Sequence, residues 1–264
     1  MRVSRCVVAA IALGLAAAPL AAQDNYEIQV YGSELVAPGA TMVELHSNYT
    51  NHTGVDIGPG MVSTYHALHE TVEITHGFNS FFELGYYNFT SINPDGGFNW
   101  VGTHLRPRFS VPASWHWPVG VSISQEFGYQ RKEFSPDTWT YEFRPIIDQK
   151  LGRFYWAVNP SLELSLKGEG QHNGFEFSPN VQVGLDVSRR VNLALEYYGN
   201  FGPLSGFDPV SQTEQELFPA INYDFGPDWE FNLGVGMALT SHTDVVGLKM
   251  IIGHRFGITN RKTP

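Results

Sequence analysis

Apolar and polar residues alternate along most of this chain, from about residue 41 to residue 256. The clearest example is the segment WPVGVSISQEFGYQR, residues 117–131, in which one face carries Ser122, Ser124 and Glu126. The opposite face carries Val119, Val121, Ile123, Phe127 and Tyr129. Because neighbouring side chains of a strand point to opposite faces, an alternation with a period of two predicts a β-strand rather than a helix.

Twelve segments of the chain show this alternation, and most of them are 11–15 residues long. That length exceeds the usual strand of a soluble protein and is enough for a tilted strand to cross a bilayer. The second segment has no clear apolar face, because Glu70 lies on the same face as Val72 and Ile74. The segments lie near residues 41–51, 63–76, 80–90, 98–111, 117–131, 138–149, 153–167, 175–187, 191–201, 214–226, 230–241 and 245–256.

The connections between these segments alternate in length. Those around residues 76–79 and 149–152 are short, whereas those around 52–62 and 202–213 are longer and rich in Gly, Pro, Asn and Asp. Such an alternation is typical of a barrel with one end in the periplasm and the other outside the cell. The sequence therefore predicts an all-β fold: a closed antiparallel transmembrane β-barrel of about 12 strands, with both termini periplasmic.

A soluble sandwich is the alternative, but it would hide its apolar face beneath a second layer. The sequence offers no helices for that layer, whereas in lipid the sheet closes because every backbone amide needs an internal partner. Trp100, Trp139 and Trp156 lie near predicted strand ends, as expected for the aromatic girdles at the two membrane interfaces. Prolines inside predicted strands argue against the barrel, since each removes a donor from the ladder. They are Pro107, Pro145, Pro160, Pro179 and Pro219.

The first 22 residues have the pattern of a secretory signal peptide, with Arg2 and Arg5 before an apolar stretch and small residues up to Ala22. The predicted division of the chain follows from this pattern. Residues 1–22 are a cleaved signal peptide, 23–40 a short periplasmic segment, 41–257 the barrel and 258–264 a C-terminal tail. The predicted location is the outer membrane of a Gram-negative bacterium, within the cell envelope. Outer-membrane lipids and the barrel-assembly machinery are the expected partners.

Composition excludes several other functions. The 264 residues carry a formal net charge of −10, which argues against nucleic acid because phosphate contacts need clustered Lys and Arg. The single cysteine, Cys6, precludes a disulfide framework and a cysteine-based zinc site. Among the histidines, His52, His66, His69 and His76 lack convergent spacing. No cofactor and no metal are therefore expected.

The strand pattern and the final strand, VVGLKMIIGHRFG at residues 245–257, resemble those of bacterial outer-membrane β-barrels. More narrowly, the chain resembles the channel family associated with the meta-pathway of phenol degradation. The resemblance covers essentially all of the chain after the signal peptide and rests on strand pattern rather than on a catalytic motif. It implies a porin-like channel that transports a small solute.

The polar faces of the strands predict a lumen lined by charges of both signs. Hairpin geometry places Glu126 roughly opposite Arg144 and His104 roughly opposite Glu126. A twelve-stranded barrel falls between those with a filled interior and those with an open channel. The predicted function is therefore a narrow channel or transporter for small solutes, and the alternative is a structural barrel with a salt-bridged, closed lumen. The candidate pore-lining residues are Arg106, Glu126, Arg144, Glu163, Glu196, His104, Glu142 and Lys249, the first five at the constriction.

An outer-membrane hydrolase is the less favoured functional hypothesis. Such enzymes need a nucleophile and a base within hydrogen-bond reach, and the chain offers His46-Ser47-Asn48 and Ser241-His242. In the first of these, Ser47 points away from the face that His46 and Asn48 share. The protein is therefore predicted not to be an enzyme, with no catalytic residues, and the sequence leaves its oligomeric state open.

Overall fold

Strand pairing closes the chain into a barrel. The computed structural model describes residues 25–52, 60–243 and 245–257, so the predicted signal peptide and C-terminal tail lie outside the described residues. The strands are β1 Thr41–His52, β2 Leu68–Asn79, β3 Phe82–Ile92, β4 Phe98–Ser110, β5 Gly120–Gln130, β6 Asp137–Leu151, β7 Phe154–Gly168, β8 Phe175–Asp186, β9 Val191–Asn200, β10 Glu214–Tyr223, β11 Trp229–Gly234, β12 Met237–Ala238 and β13 Val245–Phe256.

Each strand pairs antiparallel with its neighbours, and β13 pairs with β1 as well as with β11. The short strands β11 and β12 both pair with β10 and together form one spanning segment. Residues 235 and 236 separate them, and position 236 requires glycine because a Cβ there would lie 1.9 Å from the carbonyl oxygen of Val246. The structure thus confirms a closed antiparallel barrel of twelve spanning segments.

The helical content of the described residues is minimal. Their single helical element is a 3₁₀ turn at Ala113–Trp115, in the connection between β4 and β5. Among these residues there is no helix with the length and apolar character that a membrane crossing requires.

The second strand is where the predicted bounds depart most from the structure. The sequence predicted a strand over 63–76, and the structure has it at Leu68–Asn79. His66 has a φ of 55°, in the left-handed region, so extended backbone starts only after it. Val72 and Ile74 are exposed on the outer wall, so this strand also has an apolar outer face. Glu70 interrupts that face, and its carboxylate accepts a hydrogen bond of 2.7 Å from the Ser47 hydroxyl.

The outer wall is apolar and the inner face is polar, as the alternation predicted. In β5, Ile123 and Phe127 are 39% and 48% exposed, whereas Ser124 and Glu126 are buried. A soluble protein would bury the apolar set, because exposed apolar surface in water is unfavourable. This inversion identifies the outer wall as the surface that meets lipid.

The prolines lie within strands and interrupt ladders without ending them. Pro160 of β7 is directly opposite Pro179 of β8. Between β6 and β7 the pairing stops at Phe143 and resumes at Ile147, on either side of Pro145. Because proline has no amide hydrogen, the ladder loses bonds at these positions while the strands continue on both sides.

The interior of the barrel contains the chain's own N-terminal segment. The sequence predicted a periplasmic location for residues 23–40, but Tyr26, Ile28 and Tyr31 are at most 5% exposed and lie within the lumen. The sequence signal for this placement is the short alternation YEIQVY at 26–31, which lies outside the twelve predicted strands. We call residues 25–36 the lumenal segment.

Apolar side chains on the lumenal segment explain its position. Ile28 and Val30 pack with residues of the wall around Tyr198 and Phe218. Tyr26 packs in a second cluster on the wall, with Tyr87, Phe89 and Val101. The lumen therefore offers apolar surface as well as charge.

The assignment of inner and outer faces can be tested at two adjacent positions of β8. Val183 is 38% exposed on the outer wall between Trp156 and Leu195, whereas Gln182 is 8% exposed on the lumen side. We expect Val183→Arg to lower the free energy of unfolding in a bilayer by about 2–4 kcal/mol, because it places a charge against lipid. Gln182→Arg should cost much less, since the Glu196 carboxylate lies beside it. Denaturant unfolding in lipid vesicles measures both, and equal losses would mean that the two faces are assigned incorrectly.

Candidate functional site

The lumenal segment runs lengthwise through the barrel. Near the end of the barrel with the short turns, the Val36 amide donates a hydrogen bond of 2.7 Å to Glu83 at the start of β3. Towards the end with the long loops, the side-chain amide of Asn48 donates a bond of 2.9 Å to the Asn25 carbonyl. The segment therefore spans much of the lumen without joining the sheet.

Side chains of the wall pair with the segment's backbone. Asn159 of β7 accepts from the Tyr31 amide at 2.7 Å and donates to the Tyr31 carbonyl at 2.9 Å. Lys249 donates to the Ile28 carbonyl at 3.1 Å, and Arg108 donates to the Gly32 carbonyl at 3.1 Å. Buried backbone groups need partners, so polar side chains supply here what a neighbouring strand supplies elsewhere.

Tyr31 is at the centre of the cationic part of the lumen. The guanidinium carbons of Arg106, Arg144 and Arg108 lie 4.6, 4.9 and 5.8 Å from the centre of its ring. Its hydroxyl donates to Glu27 of the same segment. Cations near the face of an aromatic ring are attracted by its quadrupole, so these contacts hold the segment in place.

Arg144 of β6 connects the segment to the wall. It lies 3.3 Å from Glu27, 2.6 Å from Glu142 and within a hydrogen bond, at 3.2 Å, of Ser161. The predicted pairing of Glu126 with Arg144 is wrong by two positions, because in β6 the residue opposite Glu126 is Glu142. The predicted register between β5 and β6 differs from the observed one because sequence spacing does not determine which residues form the turn between two strands.

Other predicted charges also form ion pairs. His104 contacts Glu126, as hairpin geometry predicted, although the backbone partner of His104 is Gly128. Lys249 pairs with Glu196, and its ammonium donates a hydrogen bond of 3.0 Å to the Tyr198 hydroxyl.

Arg106 and Arg108 share two buried carboxylates. Arg106 lies 2.6 Å from Glu73 and 3.7 Å from Glu83, and Arg108 lies 2.8 Å from Glu83. Sequence reasoning missed Glu73 because the face of the second strand was unassigned. It also missed Glu27 and Tyr31, which belong to the lumenal segment.

All eight candidate pore-lining residues lie on the inner face of the barrel. Glu142 and Glu163 are half-buried. The other six are buried, namely Arg106, Glu126, Arg144, Glu196, His104 and Lys249. Their role in lining a conducting path stays a prediction, because the lumenal segment now occupies the space between them.

A polar cavity of about 490 Å³ lies between the segment and the wall. Its wall residues come mostly from strand positions near the short turns, so it occupies that half of the lumen. Its lining includes Gln29 and Glu34 of the segment and Glu44, Asp148, Glu230 and Arg255 of the wall.

The structure does not bring a hydrolase active site together at His46-Ser47-Asn48. The His46 side chain is fully buried in the lumen. The Ser47 hydroxyl lies on the outer wall and donates to Glu70. The strand pleat thus separates the histidine from the hydroxyl. Ser241 and His242 lie in the connection before β13.

Comparison with known proteins shows which solved structures have a similar fold. No family model matches the chain, and no curated protein matches it. Among solved structures, the NanC porin is similar with a TM-score of 0.53 and 9% identity, over 82% of this chain and 100% of that chain. The KdgM porin in complex with disordered oligogalacturonate gives 0.49 and 8%, over 83% and 99% of the two chains. The Salmonella typhi outer membrane phospholipase dimer with bound calcium gives 0.43 and 11%, over 88% and 93%.

At these identities the likeness concerns the fold alone. The NanC porin barrel confirms the predicted fold class, and the apolar outer wall described above agrees with a position in the outer membrane. The chain therefore has the fold of an outer-membrane β-barrel.

Proposed function

We propose that this protein is a porin-like channel for small polar solutes that is closed by its own lumenal segment. One observation carries the proposal: the barrel ladder closes through β13 and β1, and the segment takes no part in it. Removal of the segment would leave every spanning strand paired. The space that it vacates is as wide as an extended peptide with its side chains, which is enough for a small solute.

The lining of that space determines what would pass. Without the segment, carboxylates and cations of the wall would face water on several strands. Charges of both signs around a narrow path favour small polar solutes and exclude bulky apolar ones. Among the buried ionisable residues the carboxylates are more numerous, so the preference would be weakly for cations. The wall carboxylates are Glu44, Glu73, Glu83, Glu126, Glu196, Glu214 and Glu216, and the wall cations are Arg106, Arg108, Arg144 and Lys249.

A permanently closed, structural barrel is the second candidate. The dense contacts of Glu27 and Tyr31 with the wall favour it, because they occupy the centre of the lumen with side chains that bond to the wall. The narrower resemblance to the phenol meta-pathway channel family is a hypothesis about the solute alone. We propose no enzymatic activity, since the outer-wall hydroxyl of Ser47 bonds to a carboxylate and not to a histidine.

Ion selectivity tests the channel proposal in planar bilayers. Arg144→Ala is expected to increase cation preference and Glu126→Ala to reduce it, because both side chains face the path. The measurement is the reversal potential across a salt gradient. Arg131→Ala is the matched control, since Arg131 pairs with Glu133 in the exposed connection between β5 and β6. Reversal potentials that stay unchanged in both lumen variants, or no conductance even without residues 25–36, would favour the structural barrel.

A further inference from the structure

Two strands of the wall bring one histidine and two carboxylates together inside the barrel. Glu44 and His46 lie on β1, and Glu73 lies directly opposite Glu44 on β2. One ligand atom from each residue lies within 4.8 Å of the others. The Nε2 atom of His46 is 3.4 Å from a carboxylate oxygen of Glu73. All three side chains are more than nine-tenths buried.

Several polar atoms of these side chains are poorly satisfied. Among the described residues, the Oε1 atom of Glu44 and the Nδ1 atom of His46 have no hydrogen-bond partner, and the Nε2 atom of His46 and the Oε2 atom of Glu73 have only each other, at 3.4 Å. Buried carboxylate oxygens without partners are unfavourable, because burial removes the water that would solvate them. Poorly satisfied atoms on three side chains, one ligand atom of each lying within 4.8 Å of the others, indicate a ligand that accepts electron pairs from all three.

The carboxylates around this cluster outnumber the neighbouring guanidinium groups. Arg106 binds the other oxygen of Glu73 at 2.6 Å, and Arg108 pairs with Glu83. Neither Glu44 nor Glu230 takes part in an ion pair with Lys or Arg in the part of the chain that the structure describes. Arg255 lines the same cavity as Glu230, so four carboxylates face three guanidinium groups in this region, an excess of one negative charge.

We propose that Glu44, His46 and Glu73 bind a divalent metal ion of the zinc class in the wall of the lumen. Imidazole nitrogen and carboxylate oxygen are ligands of this class, at about 2.0–2.2 Å from the ion. Tetrahedral ligands at that distance are separated by about 3.4 Å, as His46 and Glu73 already are. A calcium ion would require six to eight oxygen ligands. Three protein ligands leave a fourth position.

The cavity provides the entry path and the space for the fourth ligand. Glu44 and Glu73 both line the space of about 490 Å³ near the short turns. The fourth ligand would be water or a solute from that space. A second cluster, Glu27, His104 and Glu126, has similar ligand types. Its Glu27 already binds Arg144 and Tyr31, so it serves as the comparison site.

Cobalt titration of the full-length folded barrel in detergent tests the site. Co²⁺ is the probe because its visible absorption reports four-coordinate binding, and Zn²⁺ then competes for the same position. We expect one Co²⁺ per barrel, displaced by Zn²⁺. His46→Gln and Glu44→Gln should each weaken binding at least tenfold, since loss of a ligand exceeds the roughly 10–100-fold effect of a supporting residue. His104→Gln is the matched control and should leave the affinity unchanged.

Three results would overturn the site: no Co²⁺ bound by the folded wild-type barrel, unchanged affinity in both folded β1 variants, or loss of binding in His104→Gln alone. Heat-modifiable migration on gels verifies that each variant is folded. Binding is measured without conductance, so a negative result would leave the channel proposal intact.

Discussion

Deletion of residues 25–36 is expected to convert a barrel with low, intermittent conductance into one with a large and steady conductance. The lumenal segment fills the space between the wall strands, and its contacts are hydrogen bonds, ion pairs and packing rather than sheet pairing. Water would replace it and solvate wall charges such as Arg108 and Lys249, which now bond to its backbone. The spanning strands would remain paired, because β13 closes the ladder on β1.

Single-channel recording of the refolded deletion variant measures this effect against the full-length protein. Tyr31→Ala is a milder version, because it removes the ring that three guanidinium groups surround. It should raise the fraction of time spent open severalfold. Tyr65→Ala makes the same substitution on an exposed residue before β2 and should have no effect. If the deletion variant conducts no better than the full-length protein, the lumen is closed by the wall itself.

Arg106→Ala is expected to cause the largest loss of stability among single substitutions in the lumen. Arg106 is 2% exposed and lies between Glu73 and Glu83, which are both buried. Its removal leaves Glu73 without its guanidinium partner and weakens the charge balance at Glu83. Loss of one partner from a buried ion pair costs about 3–5 kcal/mol. The cation contacts with the rings of Tyr31 and Tyr87 would be lost as well.

Urea unfolding of the barrel in lipid vesicles measures the free energy of unfolding. Arg131→Ala is again the control, because its pair with Glu133 is exposed and solvent screens it. Arg106→Lys keeps the charge but loses the forked geometry, so we expect an intermediate loss. A change as small as that of Arg131→Ala would show that water enters this part of the lumen and solvates the carboxylates.

Local alternation allowed the fold class to be predicted because each strand carries its own inside-outside pattern. Ile123 and Glu126 are on the faces expected from the sequence, since period-two patterning depends only on neighbours along the chain. Strand ends were less accurate, as β2 shows. There His66 has a left-handed conformation that depends on loop geometry.

The candidate lumen residues were predicted from the same local pattern, but their partners were not. Glu126 faces the lumen as expected, yet Arg144 lies beside Glu142 and reaches Glu27. Cross-strand register depends on the length and shape of each turn, so an error of two residues exchanges one partner for another.

The sequence by itself determined that the chain forms a barrel with an apolar outer wall and a charged interior. Only the tertiary structure decided that residues 25–36 occupy this interior and that Glu44, His46 and Glu73 converge there. The alternation at residues 26–31 is too short to predict that the segment lies inside a barrel. Its position results from contacts with strands far away in the chain. The physical reason is that closure creates the lumen: before the twelve segments pair, no enclosed space exists for Tyr31 or for the charges that surround it.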